Sequence, residues 1–143
     1  MTIGVLSDTH LTYVSEYFNG RMRELFGKVD LLIHAGDITS IEVYRFLSDN
    51  WDVRAVRGNM DDFELYNLLP EKRIENVMGR KIGVMHGKGS PYGIENRVLP
   101  EFEGVDLIVF GHSHIPLNTT IEWVTLFNPG SYNKSRSDRG SVG

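Results

Sequence analysis

Seven side chains in this sequence have the types and spacing of metal ligands: Asp8, His10, Asp37, Asn59, His86, His112 and His114. Carboxylates and neutral imidazoles suit manganese, nickel, iron or zinc better than calcium. Asp8 and His10 are two residues apart, as are His112 and His114. In extended backbone such pairs point the same way, so each pair can address one centre. The carboxylate of Asp37 has two oxygens and can bridge two metals, while Asn59 offers a neutral amide oxygen. Gly36, Gly58, Gly87 and Gly111 stand beside several of these residues, where a missing side chain lets backbone approach a ligand closely.

Composition narrows the alternatives. The chain has 143 residues and no cysteine. Thiolate zinc sites, disulfides and cysteine nucleophiles are therefore excluded, and the length fits a single domain over 1–143 with a real core. The net charge is −4, from 15 basic and 19 acidic side chains, with no basic run of the kind that marks a nucleic-acid surface. The opening MTIGVLSD lacks the basic region of a signal peptide, and no stretch approaches the ~18 apolar residues of a membrane span. These features predict a cytoplasmic chain with no stable nucleic-acid or membrane partner.

The elements that must carry the ligands follow from apolar patterning. Residues 2–7, 30–35, 53–56 and 105–110 read as buried strands. Helical spacing predicts helices over 16–28 and after Ser40, a capping residue. Residues 72–77 and 81–85 read as a hairpin around Met78-Gly79-Arg80, 92–102 as a short helix, and 115–121 with 123–127 as a further strand pair. Strand–helix alternation in the first half argues for parallel right-handed crossovers. The second half is richer in adjacent strands, and the last ten residues, KSRSDRGSVG, read as loose. Asp8, Asp37, Asn59, His86 and His112 each follow on, or nearly on, an apolar strand. Ligands sit at such carboxyl ends in open α/β folds, so five strands deliver metal-type side chains to one edge.

Taken singly, each signal is weak. One histidine after a strand is usually structural, and Gly-Asp or Gly-Asn is most often a turn. Four of the five histidines nevertheless fall in the set. His34, inside the LLIHAGD run, reads as a core or supporting residue.

The series Asp8-Thr9-His10, Gly36-Asp37, Gly58-Asn59, His86-Gly87 and Gly111-His112-Ser113-His114 resembles the calcineurin-like metallophosphoesterases. With Asn128-Pro129-Gly130-Ser131 it is similar to their small YfcE-type phosphodiesterase branch. The resemblance implies a four-layer αββα sandwich with mixed sheets flanked by helices, and a dinuclear site. Asp8, His10 and His114 would hold one metal, Asn59, His86 and His112 the other, and Asp37 would bridge them, with Asn59, His86 and Asp37 as the catalytic set. The metals expected are manganese or nickel, with iron or zinc as alternatives. Paired metals clamp phosphate oxygens and lower the pKa of a bridging water, whose hydroxide would attack phosphorus in a small phosphate-ester substrate. The family also implies a homo-dimer or tetramer.

Two positions depart from the pattern. Met60 stands where many members carry a histidine thought to assist catalysis, and Asp61 follows as either a supporting group or a solvated loop carboxylate. The chain ends at Ser141-Val142-Gly143, where the resemblance implies a further closing strand; a natural and a shortened end are both open. The rival reading is a scaffold that keeps the fold without the chemistry, as in the phosphoesterase-like retromer subunit. Gly87-Lys88-Gly89-Ser90-Pro91-Tyr92-Gly93 misses the dinucleotide spacing and reads as a loop at the site rim.

Overall fold

The short apolar strands of the first half can bury both faces only if they lie parallel and are covered on each side. The computed structural model, which describes residues 1–133 and Gly143, has this arrangement. Strands β1 (Ile3–Leu6), β2 (Leu31–His34) and β3 (Val53–Ala55) form a parallel sheet in that order, with Ile3 opposite Leu31 and Leu32 opposite Val53. Helices α1 (Glu16–Phe26) and α2 (Ile41–Asn50) are the crossovers. Ser15 caps α1 by accepting from the Phe18 N–H, and Ser40 caps α2 by accepting from the Glu42 N–H, satisfying donors that a helix start leaves open. The buried residues of α1 are Phe18, Met22 and Phe26, one helical face at i, i+4, i+8.

A second sheet has the order β4-β5-β6-β8-β7. It comprises β4 (Lys72–Val77), β5 (Arg80–Met85), β6 (Leu107–Val109), β7 (Leu117–Ile121) and β8 (Val124–Asn128). Its central strands β5, β6 and β8 run parallel, while β4 and β7 pair antiparallel on the two edges. Three apolar clusters then define four layers. Leu6, Leu32 and Leu47 pack with Phe18 and Met22 between the helices and the first sheet. Val5, Ile33, Val84 and Val109 pack between the sheets. Ile108, Phe110 and Leu126 pack against Ile94 and Val98 of α4 (Ile94–Val98). Successive residues of β2 alternate between clusters, Leu32 facing the helices and Ile33 the other sheet, as the strand period of two requires. The αββα sandwich is therefore the fold.

Some boundaries differ from the sequence expectation. Helix α1 ends at Phe26, before Gly27. A third helix, α3 (Phe63–Leu68), capped by the Asp62 carboxylate accepting from Leu65 N–H, buries only Leu65 and is too short for periodicity to reveal. The helix expected over 92–102 is broken into α4 and a 3-10 turn at Leu99–Glu101, where Pro100 has no N–H to continue the ladder. Strand β7 starts at Leu117, after Pro116, rather than at Ile115. Of the terminal ten residues expected to be loose, 134–142 lie outside the described residues. Gly143 exchanges backbone hydrogen bonds with Val5, on the free edge of β1.

Leu32 is fully buried between β2 and the helices. Leu32→Ala should lower the unfolding free energy by about 3 kcal/mol, through lost transfer energy and a residual cavity. Denaturant titration measures this; a loss below about 1 kcal/mol would contradict the packing described.

Candidate metal centre

Each ligand candidate sits where a strand gives way to a loop, and the backbone there is unusual. Asp8, His10, Asp37, His112 and His114 all have positive φ, between 48° and 68°. This corrects the expectation that the two i, i+2 pairs share a direction because their backbone is extended. The left-handed region costs a residue with a Cβ on the order of 1 kcal/mol, though Asp and His tolerate it better than most. Such strain persists only where surrounding contacts fix it. Here Asp8 N–H donates to the Gly36 carbonyl and His10 N–H to the Asp37 carbonyl, locking the β1 and β2 loops together. Gly58 and Gly111 allow the loops to close: a Cβ on Gly58 would stand 2.8 Å from the Asp37 carboxyl carbon, and one on Gly111 2.7 Å from Asp8 Oδ2.

The result is a buried cluster of oxygen and nitrogen atoms. His114 Nε2 is 3.0 Å from Asp8 Oδ1, and His10 Nε2 lies 3.5 Å from both Asp8 Oδ1 and Asp37 Oδ2. His86 Nε2 is 3.2 Å from Asp37 Oδ2 and 3.9 Å from Asp8 Oδ1. Among the described residues, Asp8 Oδ1, His10 Nε2 and His86 Nε2 are buried without a hydrogen-bond partner. Buried polar atoms are seldom left in this state, because each carries a desolvation cost. Two carboxylates and several imidazoles aimed into one space are the donor set of a divalent cation, and two overlapping groups form there: Asp8 with His10 and His114, and Asp8 with Asp37 and His86.

The remaining atoms of these residues are held firmly. Asp8 Oδ2 accepts from the Ser7 hydroxyl at 2.5 Å and the His112 N–H at 3.1 Å. Asp37 Oδ1 accepts from the Met60 N–H at 2.8 Å. His86 Nδ1 lies 2.7 Å from the Ala35 carbonyl. A carbonyl can only accept, so Nδ1 carries the proton and Nε2 faces the carboxylates, the orientation a metal-binding imidazole needs. Burial disfavours charge on Asp8, but the imidazoles of His10, His114 and His86 outweigh it and hold its carboxyl well below the usual range. Asp37 is likewise lowered against the cost of burial, with His86 the main partner. Burial opposes charge on His86 too, yet Asp37 and Asp8 raise it.

The structure thus brings Asp8, His10, Asp37, His86 and His114 into one cluster. His112 is adjacent, its ring edge-on to His86 at 5.2 Å between centroids, but its Nε2 lies 2.9 Å from the Gly89 carbonyl. Asn59 is exposed and lines a groove that also reaches His86. Asp61 is committed elsewhere: its two oxygens accept from the Thr39 and Gly58 N–H groups, each at 2.7 Å, and burial pushes its carboxyl up. It pins the Asp37 and Asn59 loops together.

Several residues have supporting roles that the sequence did not assign. Ser7 orients Asp8. Buried Asn128 donates to the Gly111 carbonyl at 2.9 Å and to Ser113 Oγ at 3.0 Å, bracing the His112–His114 loop. The Ser131 hydroxyl donates to the Asp8 carbonyl at 3.0 Å. The Asn128-Pro129-Gly130-Ser131 segment was the only signal for the last two.

His34 supports the centre from behind. Gly36 N–H donates to its Nδ1 at 3.2 Å, so Nε2 carries the proton and donates to the Thr9 hydroxyl at 2.5 Å. Burial holds this imidazole down at about 3, against 6.5 for an ordinary histidine. The folded state therefore keeps His34 neutral while the unfolded chain takes up a proton. Its contribution to stability is intact above about 6.5 and is lost as pH falls towards about 3. His34→Gln, which retains an N–H for Thr9, should flatten the pH dependence of unfolding of the metal-free protein across that window. Chemical denaturation across the window checks this; an unchanged slope would contradict it.

Comparison with known proteins agrees with this geometry. The calcineurin-like phosphoesterase superfamily domain matches residues 1–142. A "Probable metallophosphoesterase" of Methanocaldococcus jannaschii is 41% identical over 134 residues, covering 92% of this chain and 68% of the relative. A protein of the same description from Methanothermobacter thermautotrophicus is 34% identical, covering 92% and 77%. Among solved structures, an archaeal phosphodiesterase superposes with a TM-score of 0.79 at 21% identity, covering 99% of this chain and 91% of that one, a likeness of fold. Zinc-complexed Vps29 of Entamoeba histolytica superposes with a TM-score of 0.69 at 26% identity, covering 92% and 75%. From the αββα sandwich, the ordered ligand series and these relatives together, the chain belongs to the calcineurin-like phosphoesterase superfamily.

Proposed function

We propose that the protein is a phosphodiesterase that works with two divalent ions. The observation that carries this reading is the set of buried, unpartnered atoms Asp8 Oδ1, His10 Nε2 and His86 Nε2 facing one space. Asp8, His10 and His114 would hold one ion, Asn59, His86 and His112 the other, and Asp37 would be shared, with manganese or nickel ahead of iron or zinc. When bound, the ions would supply Lewis acidity towards phosphate oxygens and an activated water.

The chain's own residues position and insulate this chemistry. The Ala35 carbonyl fixes the His86 ring, and the Met60 N–H holds Oδ1 of Asp37 while Oδ2 faces His10 and His86. Exposed Asn59 can orient a phosphate through its amide N–H. Three nearby hydroxyls are held in place, Ser7 by Asp8, Thr9 by His34 and Ser113 by Asn128. Water activated by the ions, rather than a side chain, would be the nucleophile. The substrate is a small phosphate ester, the setting cytoplasmic, and the assembly a homo-dimer or tetramer.

A scaffold that binds metal without hydrolysis is the second reading. The likeness to Vps29, named for vacuolar protein sorting, favours it. A scaffold is free to lose ligands, and here every expected ligand type is present in sequence order, which favours the enzyme.

Manganese-loaded protein should hydrolyse bis-p-nitrophenyl phosphate, and Asp37→Ala should reduce the rate by more than about 100-fold, beyond the loss typical of a merely supporting residue. Full activity in Asp37→Ala would sink the shared-ligand assignment. A metal-loaded protein inert towards monoesters and diesters alike would establish the scaffold instead.

A further inference from the structure

A groove of about 190 Å³ opens beside the cluster, lined by His86 and Asn59 together with Arg57, Tyr66, Glu71 and Lys88. Its chemistry is uneven. The Arg57 guanidinium lies 4.1 Å above the centroid of the Tyr66 ring, and its Nη1 donates to the Tyr66 carbonyl at 2.9 Å and the Leu69 carbonyl at 3.4 Å. Three contacts therefore fix this cation. No partner is recorded for its Nε and Nη2 among the described residues. Lys88 follows His86-Gly87 on a loop that Arg97 braces through the Lys88, Ser90 and Tyr92 carbonyls. Among the described residues that line it, Arg57 and Lys88 outweigh Glu71, so the groove keeps a net positive charge.

Among the described residues, the same groove has no proton donor suited to neutral pH. General acids work best with a pKa near the operating pH, and histidine is the side chain that ordinarily meets that condition. His86, which lines the groove, has Nδ1 on the Ala35 carbonyl and Nε2 turned to the carboxylates. Next to Asn59 stand Met60, which has no proton to give, and Asp61, whose two oxygens already accept backbone N–H groups. A leaving group that must be protonated, such as an alkoxide, is poorly served. One that departs as a stable anion and meets two cations is well served.

We propose, on the phosphoesterase reading above, that this groove is a leaving-group subsite and that, within the small phosphate esters, the substrate class is one whose esterified phosphorus also carries an anhydride bond, as in a nucleoside diphosphate, with Arg57 and Lys88 receiving the phosphate-bearing leaving group. Hydrolysis consumes one water. Its oxygen forms the new bond to phosphorus, and the bridging P–O bond breaks with its electron pair going to the leaving phosphate. The water's two protons pass to solvent or stay on the two phosphate products according to pH. A planar guanidinium with free N–H groups suits phosphate oxygens, and Lys88 adds a point charge.

The test compares ADP, whose leaving group carries phosphate, with bis-p-nitrophenyl phosphate, whose leaving group does not. The manganese-loaded protein should hydrolyse both. Arg57→Ala and Lys88→Ala should each lower kcat/KM for ADP about tenfold more than for the nitrophenyl ester, the size of one lost charge-assisted contact. They should weaken calorimetrically measured binding of α,β-methylene ADP by a similar factor. Exposed Lys88 carries the test if Arg57→Ala does not fold. Equal losses on both substrates with unchanged analogue binding would overturn the subsite. Hydrolysis of the nitrophenyl ester with none of ADP would overturn the anhydride and leave the phosphoesterase reading standing, whereas hydrolysis of neither removes both.

Discussion

Two buried carboxylates, Asp8 and Asp37, face the same space, and the rest of the structure accommodates that fact. Like charges this close and this poorly solvated repel one another, and each loses hydration on burial. The fold compensates part of the cost with oriented donors. The Ser7 hydroxyl and His112 N–H serve Asp8, and the Met60 N–H serves Asp37. Three imidazoles stand on the other side. Yet Asp8 Oδ1 keeps no hydrogen bond among the described residues, so the protein alone leaves the arrangement incomplete. A bound cation would complete it.

Holding those groups together determines much of the architecture. Parallel β1, β2 and β3 end at one edge, and the second sheet brings β5 and β6 to the same edge. The loops then turn sharply, which is why the ligand positions adopt left-handed backbone. Asp61, Asn128 and Ser131 tie one loop to another. These ties are backbone-directed, so they hold position whatever occupies the centre. They make the site a rigid product of the sandwich rather than an adaptable surface.

The sequence revealed the strand ends well because a buried parallel strand leaves an unbroken apolar run, and Asp8, Asp37 and His86 close such runs. It revealed the capping of α2 through Ser40 for an equally local reason. It could not reveal that Asp8 and His10 converge through left-handed turns, since that depends on the Gly36 and Asp37 carbonyls in the loop after β2. Helix α3 escaped because six residues with one buried side chain carry no period. Ser7 escaped because serine is common in any loop, and Asn128 showed only as part of the Asn128-Pro129-Gly130-Ser131 motif, its bracing role visible only through tertiary contact. The same holds for Arg57, whose fixed posture over Tyr66 is visible only once α3 is in place.

The central claim is that the Asp8–Asp37 cluster is completed by two metal ions. Its most direct test is the stoichiometry of manganese bound to chelator-treated protein, measured by calorimetric titration with elemental analysis of the product. The account predicts two ions per chain. Fewer than one ion per chain at saturation would contradict it.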